Sequence, residues 1–330
     1  MRMRIKKNLR TIMMAAAAVA AVLIVALYYS YAFGGADEKS YYLIYIPKVL
    51  DEDNDFWSTL LEGAQMAAEE HHATLEILAP DSETDYEQQR QYIEEAIAKK
   101  PDAILVSPSS YTENIETLEK VKENGIRLVF IDSVVSEEVQ DLTVATDNVN
   151  MGEQLGAYVC QFLDENSQIA IVAHVEGSST AIEREEGIRA GLGEYESRIV
   201  ETVFSGSEYS VAYEQTCALI EKYPDLTRII GTNEYSAVGA ARAIRDLGLQ
   251  DQITFVGIDS SLEMIQLMEE GIFQGFIIQK SFNMGYLGVE NTIALLNGSV
   301  KEGTNLDSGS KLITREELYT EENQKLLFPF

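Results

Sequence analysis

Positive charge is scarce beyond the first 36 residues. Five of the chain's 25 basic residues (Arg2, Arg4, Lys6, Lys7 and Arg10) lie in that stretch, which holds no acid; the remainder carries 20 basic against 54 acidic residues. That balance excludes a nucleic-acid partner, because phosphate contacts need cationic side chains. Cysteine is nearly absent as well, with Cys160 and Cys217 the only two. Both fall in helical patterns, Cys160 opposite the apolar stripe of Met151, Leu155, Val159 and Phe162. Two unpaired thiols are expected, although an exported chain could oxidise them. There is no C-x-x-C pair or Cys/His cluster, no glycine-rich phosphate loop and no G-x-S-x-G elbow, so no metal, cofactor or catalytic residue is expected. His71 and His72 read as solvated, and His174 lies at a strand end without a nucleophile motif. One acidic loop has calcium-like spacing at Asp51, Asp53, Asp55 and Glu62, but its sixth position, which needs glycine for the turn, is Phe56.

Charge is also missing from residues 11–36, and residues 12–27 are apolar throughout. With five basic residues in front, this reads as a targeting segment that leaves the bulk of the chain outside the membrane. A span needs about 20 apolar residues, which residues 12–33 provide, with Tyr28, Tyr29 and Tyr31 as interfacial aromatics. An uncleaved anchor is expected over residues 1–36. Cleavage after a small-x-small site near Gly34 is the rival, and no cysteine follows to carry a lipid.

After residue 40, short apolar runs alternate with amphipathic stretches whose apolar residues fall three or four apart. The runs, read as strands, are 42–46, 75–79, 103–107, 127–131, 142–146, 169–174, 199–204, 228–231, 253–258 and 275–279. The stretches, read as helices, are 56–70, 86–99, 112–124, 151–164, 181–192, 211–223, 237–247, 262–269 and 284–296. Such alternation predicts an α/β fold with parallel sheets. Nine units are too many for one compact open sheet of this size, so two doubly wound lobes are expected.

Ligands of doubly wound sheets lie beyond the carboxyl ends of the strands. Lys48, Asn54, Phe56 and the only tryptophan, Trp57, follow the first strand. Ser107, Ser109 and Tyr111 follow the third, Asp132 and Ser133 the fourth. His174, Glu176, Ser178 and Ser179, then Asn233, Glu234 and Tyr235, then Asp259 and Ser260, then Gln279 and Lys280 follow later strands. Hydrogen-bonding groups beside two aromatics suit a polyol, whose hydroxyls each donate and accept.

Five stretches carry a resemblance across about residues 41–315. They are Asp53-Asn54-Asp55-Phe56-Trp57 with Gly63-Ala64; Phe130-Ile131-Asp132; Thr146-Asp147-Asn148 with Gly152; Thr232-Asn233-Glu234 with Ala237-Val238-Gly239-Ala240; and Val256-Gly257-Ile258-Asp259 with Ile278-Gln279. In this order and spacing the chain resembles the type I periplasmic sugar-binding proteins of the ribose- and galactose-binding group.

The resemblance implies two lobes joined by three crossing segments, near Asp147, after Gln279 and near Leu312, closing on a ligand by hinge motion. Lobe 1 is expected to hold residues 41–146 plus 281–310, and lobe 2 residues 147–280 plus 311–330. It also implies sugar contacts at Asn54, Phe56, Trp57, Asp132, Asn233, Asp259 and Gln279, with Lys48 as a pocket lysine. The ribose-type pattern has arginines where this chain has Ser133 and Ile182, and only Arg184 matches the second part of that pattern. Specificity is therefore expected at Lys48, Ser133 and Ile182, for a monosaccharide or sugar-like molecule other than ribose.

The implied protein is a monomer outside the cell membrane that presents its ligand to an ABC transporter permease or a sensor histidine kinase. An anchored α/β hydrolase using Asp132 or Glu183 is the alternative of a different class. Phe56 and Trp57 as a helix-start staple, and Asp132 and Asp259 as helix N-caps, are the purely structural readings of the same residues.

Overall fold

Runs of branched and aromatic residues stop at polar loops on the same edge of each sheet, and this arrangement sets the architecture. The structure is a computed structural model that describes residues 19–21, 24–25 and 40–327. The expected anchor falls almost wholly outside these residues. Among the described residues no helix is long and apolar enough to cross a membrane.

Strands β1 (Tyr42–Ile46), β2 (Thr74–Ile77), β3 (Ala103–Val106), β4 (Arg127–Ile131) and β5 (Leu142–Ala145) form the first sheet, all parallel. Strands β6 (Gln168–Ala173), β7 (Ile199–Phe204), β8 (Leu226–Gly231), β9 (Thr254–Ile258) and β10 (Phe273–Gln279) form the second, in parallel pairs. Two late strands complete the sheets: β11 (Thr304–Asp307) beside β5, and β12 (Ser310–Thr314) beside β10. The orders are β11-β5-β4-β3-β1-β2 and β12-β10-β9-β8-β6-β7, the same arrangement twice. In each sheet the strand order reverses next to β1 or β6, and the crevice at such a switch point is where open α/β sheets bind ligands. The central strands are buried end to end, as sheets covered by helices on both faces require; β3 and residues 43–46 are entirely inaccessible.

Helices α1 (Asp55–Glu70), α2 (Tyr86–Lys99) and α3 (Ile115–Glu123) follow the first three strands, and α4 (Asn148–Cys160) follows β5. Then come α5 (Ser179–Leu192), α6 (Tyr209–Lys222), α7 (Glu234–Asp246), α8 (Leu262–Glu269), α9 (Ser281–Leu296) and α10 (Glu321–Leu327). The ten expected strands and nine expected helices are present, with shifted ends. Helices α4, α7 and α9 each begin three residues before the first apolar position that periodicity marks. Their first turns break the apolar stripe with Asn148 and Asn150, Glu234 and Ser236, and Ser281 and Asn283; that of α7 faces the cavity described below. Strands β11 and β12 and helix α10 carry too weak a pattern to be expected, since β11 is a half-exposed edge strand. The sheets are parallel as expected except at one edge, where β12 pairs antiparallel with β10. The short link Ser308–Gly309 between β11 and β12 carries the chain from the first sheet to the second, slightly before the crossing expected near Leu312.

Close helix pairs hold each half together. A Cβ at Gly285 of α9 would lie 1.9 Å from the Leu60 carbonyl oxygen of α1, and one at Gly63 of α1 would lie 2.1 Å from the Phe282 carbonyl. Through this contact α9, entered directly from β10 of the second sheet, is seated on the first. Gly187 and Gly191 of α5 face α4 in the same way. Backbone neighbours cannot move aside as side-chain tips can. The Gly285→Ala protein is therefore expected to lose about 3 kcal/mol of unfolding free energy, as overpacking of a close contact does; urea denaturation measures it, and Gly298→Ala on an open turn serves as the control for positive-φ strain.

Candidate functional site

The loops leaving the two sheets enclose one polar cavity. It is lined by Lys48, Asn54, Phe56, Trp57, Glu83 and Asp132 from the first half, and by His174, Thr180, Arg184, Asn233, Glu234, Tyr235, Asp259 and Gln279 from the second. In this closed arrangement the free space is about 20 Å³, room for about one water molecule. Every lining residue is buried.

Each half supplies an asparagine and an aspartate at matching places. Asn54 is the N-cap of α1, its Oδ1 accepting from the Trp57 amide at 3.1 Å. Asn233 caps α7 in a capping box with Ser236. Capping consumes the amide oxygens and leaves the Nδ2 donors for other partners. Asn54 Nδ2 donates across to the Tyr209 hydroxyl (3.4 Å), and Asn233 Nδ2 donates to Ser207 Oγ (3.3 Å). Asp132 and Asp259 sit just past the ends of β4 and β9 with φ of 71° and 79°. Left-handed backbone at a non-glycine residue costs about 1–3 kcal/mol and clusters at functional sites. Neither aspartate caps the helix that follows it in sequence, because β5 follows Asp132 and Ser261 caps α8. Asp259 instead accepts from the Glu234 amide (2.8 Å) at the start of α7 and from Gln279 Nε2 (2.6 Å).

Charge is paired inside the cavity. Lys48 Nζ donates to Asp132 Oδ2 at 2.8 Å and reaches Thr180 Oγ1 of the other half at 3.4 Å, 6.0 Å from the Trp57 ring centre. Arg184 donates to Asn148 Oδ1 (2.9 Å) and the Thr232 carbonyl (2.7 Å). His174 lies between Thr232 Oγ1 and Thr180 Oγ1, both at 2.8 Å. Burial, helped by Arg184 and Lys48, holds its pKa well below the usual range, so it is neutral. Burial raises the carboxyls of Glu83 and Asp259. Glu234 is pushed up to about 8, first by burial and then by the Asp259 charge.

The aromatic pair has both of the roles considered for it. Phe56 and Trp57 meet edge to face, with ring centres 5.1 Å apart, and pack into the core of the first half while also lining the cavity. Trp57 Nε1 donates to Glu83 Oε1 (2.7 Å), and Ser207 Oγ of the other half donates to Glu83 Oε2 (2.7 Å).

Eight of the nine expected contact residues are brought together: Lys48, Asn54, Phe56, Trp57, Asp132, Asn233, Asp259 and Gln279. Ser133 is not among the cavity's lining residues. Its hydroxyl donates to the Pro108 carbonyl (2.9 Å), and it borders a neighbouring hollow with Glu183 and Asn148. Ile182 is 44 % exposed, so an isoleucine placed there for specificity meets solvent. Tyr111 is used through its backbone, its amide donating to the Gly177 carbonyl. His174, Glu234 and Tyr235, expected only as strand-end hydrogen-bonding groups, and Arg184, expected only as the match to one arginine of the ribose-type pattern, also line the cavity. Glu83, in the loop after β2, and Thr180, in the first turn of α5, line it without having been expected. Cys160 and Cys217 are free and half-buried.

The periplasmic binding protein domain family matches residues 45–299. The chain is 23 % identical over 257 residues to the D-ribose/D-allose-binding protein of Pseudomonas aeruginosa, covering 76 % of this chain and 81 % of that one. A solved structure described as a sugar transporter from Clostridium phytofermentans shares 45 % identity with a TM-score of 0.79, covering 83 % of this chain and 99 % of that one. An ABC transporter solute-binding protein from Agrobacterium vitis with bound D-fucose shares 26 % identity with a TM-score of 0.81, covering 87 % and 100 %.

Removing one partner of a buried ion pair strands the other charge. The Lys48→Met protein is expected to be destabilised by about 3–5 kcal/mol, and Asp132→Asn in the same chain to recover most of that; thermal denaturation of the two single variants and the double variant measures the coupling.

Proposed function

Because the chain belongs to the periplasmic binding protein family, matched over residues 45–299, we propose that it captures a monosaccharide or sugar-like polyol between its two lobes. One observation carries this reading: hydrogen-bonding side chains from both halves converge on a buried cavity walled by Phe56 and Trp57. Trp57 and Phe56 cover the apolar face of the ring. Lys48 and Asp132 from one side, and Arg184, Asn233, Asp259 and Gln279 from the other, take the hydroxyls, each of which donates once and accepts twice. The relatives named above are described as binding or transport proteins, which supports capture without turnover; the hydrolase alternative finds no support in them.

A sugar is far larger than the present cavity, so it enters with the lobes parted. We assign residues 41–146 plus 281–310 to lobe 1 and 147–280 plus 311–330 to lobe 2. The lobes then part by bending at the three connections, after β5, after β10 and between β11 and β12. Closing on the sugar brings Lys48 to Thr180 and Glu83 to Ser207. The closed face is then read by a membrane partner, either an ABC transporter permease or a sensor histidine kinase. Residues 1–36 hold the protein, as a monomer, at the outer face of the membrane by their basic and apolar halves. The ion pair of Lys48 with Asp132 stands within the hydroxyl-binding set and favours a neutral ligand, since a charged one would leave one partner of the pair without its counter-ion.

Calorimetry against a panel including D-ribose, D-allose, D-arabinose, D-fucose, D-galactose and D-glucose tests this. At least one sugar is expected to bind with saturation and to be recovered unchanged, with Trp57→Ala and Asn233→Ala each weakening it more than tenfold. Turnover of the bound sugar, or no weakening in either variant, would overturn the reading.

A further inference from the structure

Glu234 lies at the first position of α7 in the second half, yet its carboxylate is bonded to the first helix of the other half. It accepts from the amides of Asp55 (3.3 Å) and Phe56 (3.1 Å) at the start of α1. Asp55 returns the contact: its Oδ2 accepts from the Leu262 amide (3.0 Å), the first residue of α8. Two helix amino termini, that of α1 in the first half and that of α8 in the second, thus each receive a carboxylate from across the cleft. Free amides and the helix dipole favour a negative group at such an end. The Tyr209 hydroxyl donates to Glu234 Oε1 (3.2 Å), and the Tyr235 hydroxyl donates across the cleft to Asp51 Oδ2 (2.7 Å).

We propose that Glu234 is a positioning residue that latches the two lobes shut, holds the α1 turn bearing Phe56 and Trp57 in its closed place, and couples closure to uptake of one proton. The coupling follows from what faces it. The Asp55 carboxylate faces it from the first half and that of Asp259 from the end of β9; Asp51 is held by the Tyr235 hydroxyl, and Glu83 lines the same cavity. Tyr209 of α6 and Tyr235 of α7 complete the surroundings. The cations nearby are engaged elsewhere: Lys48 with Asp132, Arg184 with Asn148 and Thr232, Arg242 with Glu263, and Arg245 with Asp246. Closing therefore buries Glu234 beside the Asp259 and Asp55 carboxylates, where the proton is held to about pH 8. When the lobes part, water returns it to the ordinary carboxylate range near 4.3.

The sign follows from linkage. Because the pKa is higher in the closed form, protonation favours closure. That advantage is complete below the open-form pKa and is lost as pH rises through 8, the closing equilibrium falling about tenfold per pH unit between them. Protonated Glu234 keeps one carbonyl oxygen as acceptor for an α1 amide, its other oxygen becoming a hydroxyl, so part of the latch persists while its charge is relieved.

The latch rests on two-lobe closure alone, and its test uses no sugar, so its failure and failure of the sugar reading are separate outcomes. The full ligand-free chain is titrated from pH 5 to 9, with the radius of gyration from small-angle scattering and the emission of Trp57, the single tryptophan, as readouts. The wild type is expected to expand and to shift its emission as pH rises towards 8, reversibly. Glu234→Gln is expected to bury a neutral side chain in the same place and to lose that pH dependence. Should Glu234→Gln fail to fold, Asp55→Asn carries the test: it removes a like charge beside Glu234 and is expected to move the opening midpoint to lower pH. A wild type whose dimensions and emission are constant across the range, a Glu234→Gln protein with the wild-type profile, or an Asp55→Asn midpoint that does not fall would each overturn the proposal.

Discussion

Parallel strands deliver all their carboxyl-end loops to one edge, and two such sheets placed edge to edge bury both sets of loops in a single volume. The resulting constraint is severe, because a polar group taken from water without a partner costs several kcal/mol. Two cations and four carboxylates line the cavity, and each finds partners. Lys48 is paired within its own half, while Glu83 and Glu234 take donors from both sides of the cleft or from the opposite half. The side chains that define the cleft are thus the same ones that make closing it tolerable.

This economy explains why structural and functional readings of single residues need not compete. Asn54 and Asn233 cap helices with their oxygens and keep their amide donors free for the cleft. Trp57 fills the core with one face, borders the cavity and places its indole donor on Glu83. Asp259, in strained left-handed backbone, orders the amino terminus of α7 and fixes the amide of Gln279. A substitution at any of these positions acts on folding and on ligand geometry together.

Much of this was legible in the chain. Buried strands announce themselves as unbroken apolar runs, and β1 and β4 were bounded correctly because Pro47 and Asp132 end their runs. Helix starts were missed by three residues in α4, α7 and α9, where polar residues in the first turn interrupt the apolar stripe, in α7 because that turn belongs to the cleft. Eight of the expected contact residues line the cavity because strand ends and polar types suffice to list them. Ser133 lies outside that lining because its hydroxyl has an acceptor in Pro108, a fact of loop geometry. Ile182 is turned to solvent by α5, four residues along from the N-cap Ser178.

What the sequence by itself determined was the alternation of elements, the acidic surface, and the set of polar and aromatic side chains at strand ends, since each depends on residues within a turn or a loop of one another. Only the tertiary structure decided the partners. That Glu83 bonds Ser207, that Glu234 bonds the start of α1, and that Lys48 meets both Asp132 and Thr180 depend on contacts across 84 to 178 residues of chain. No local pattern encodes them, because they follow from how two separately wound sheets are set against each other by three connecting segments.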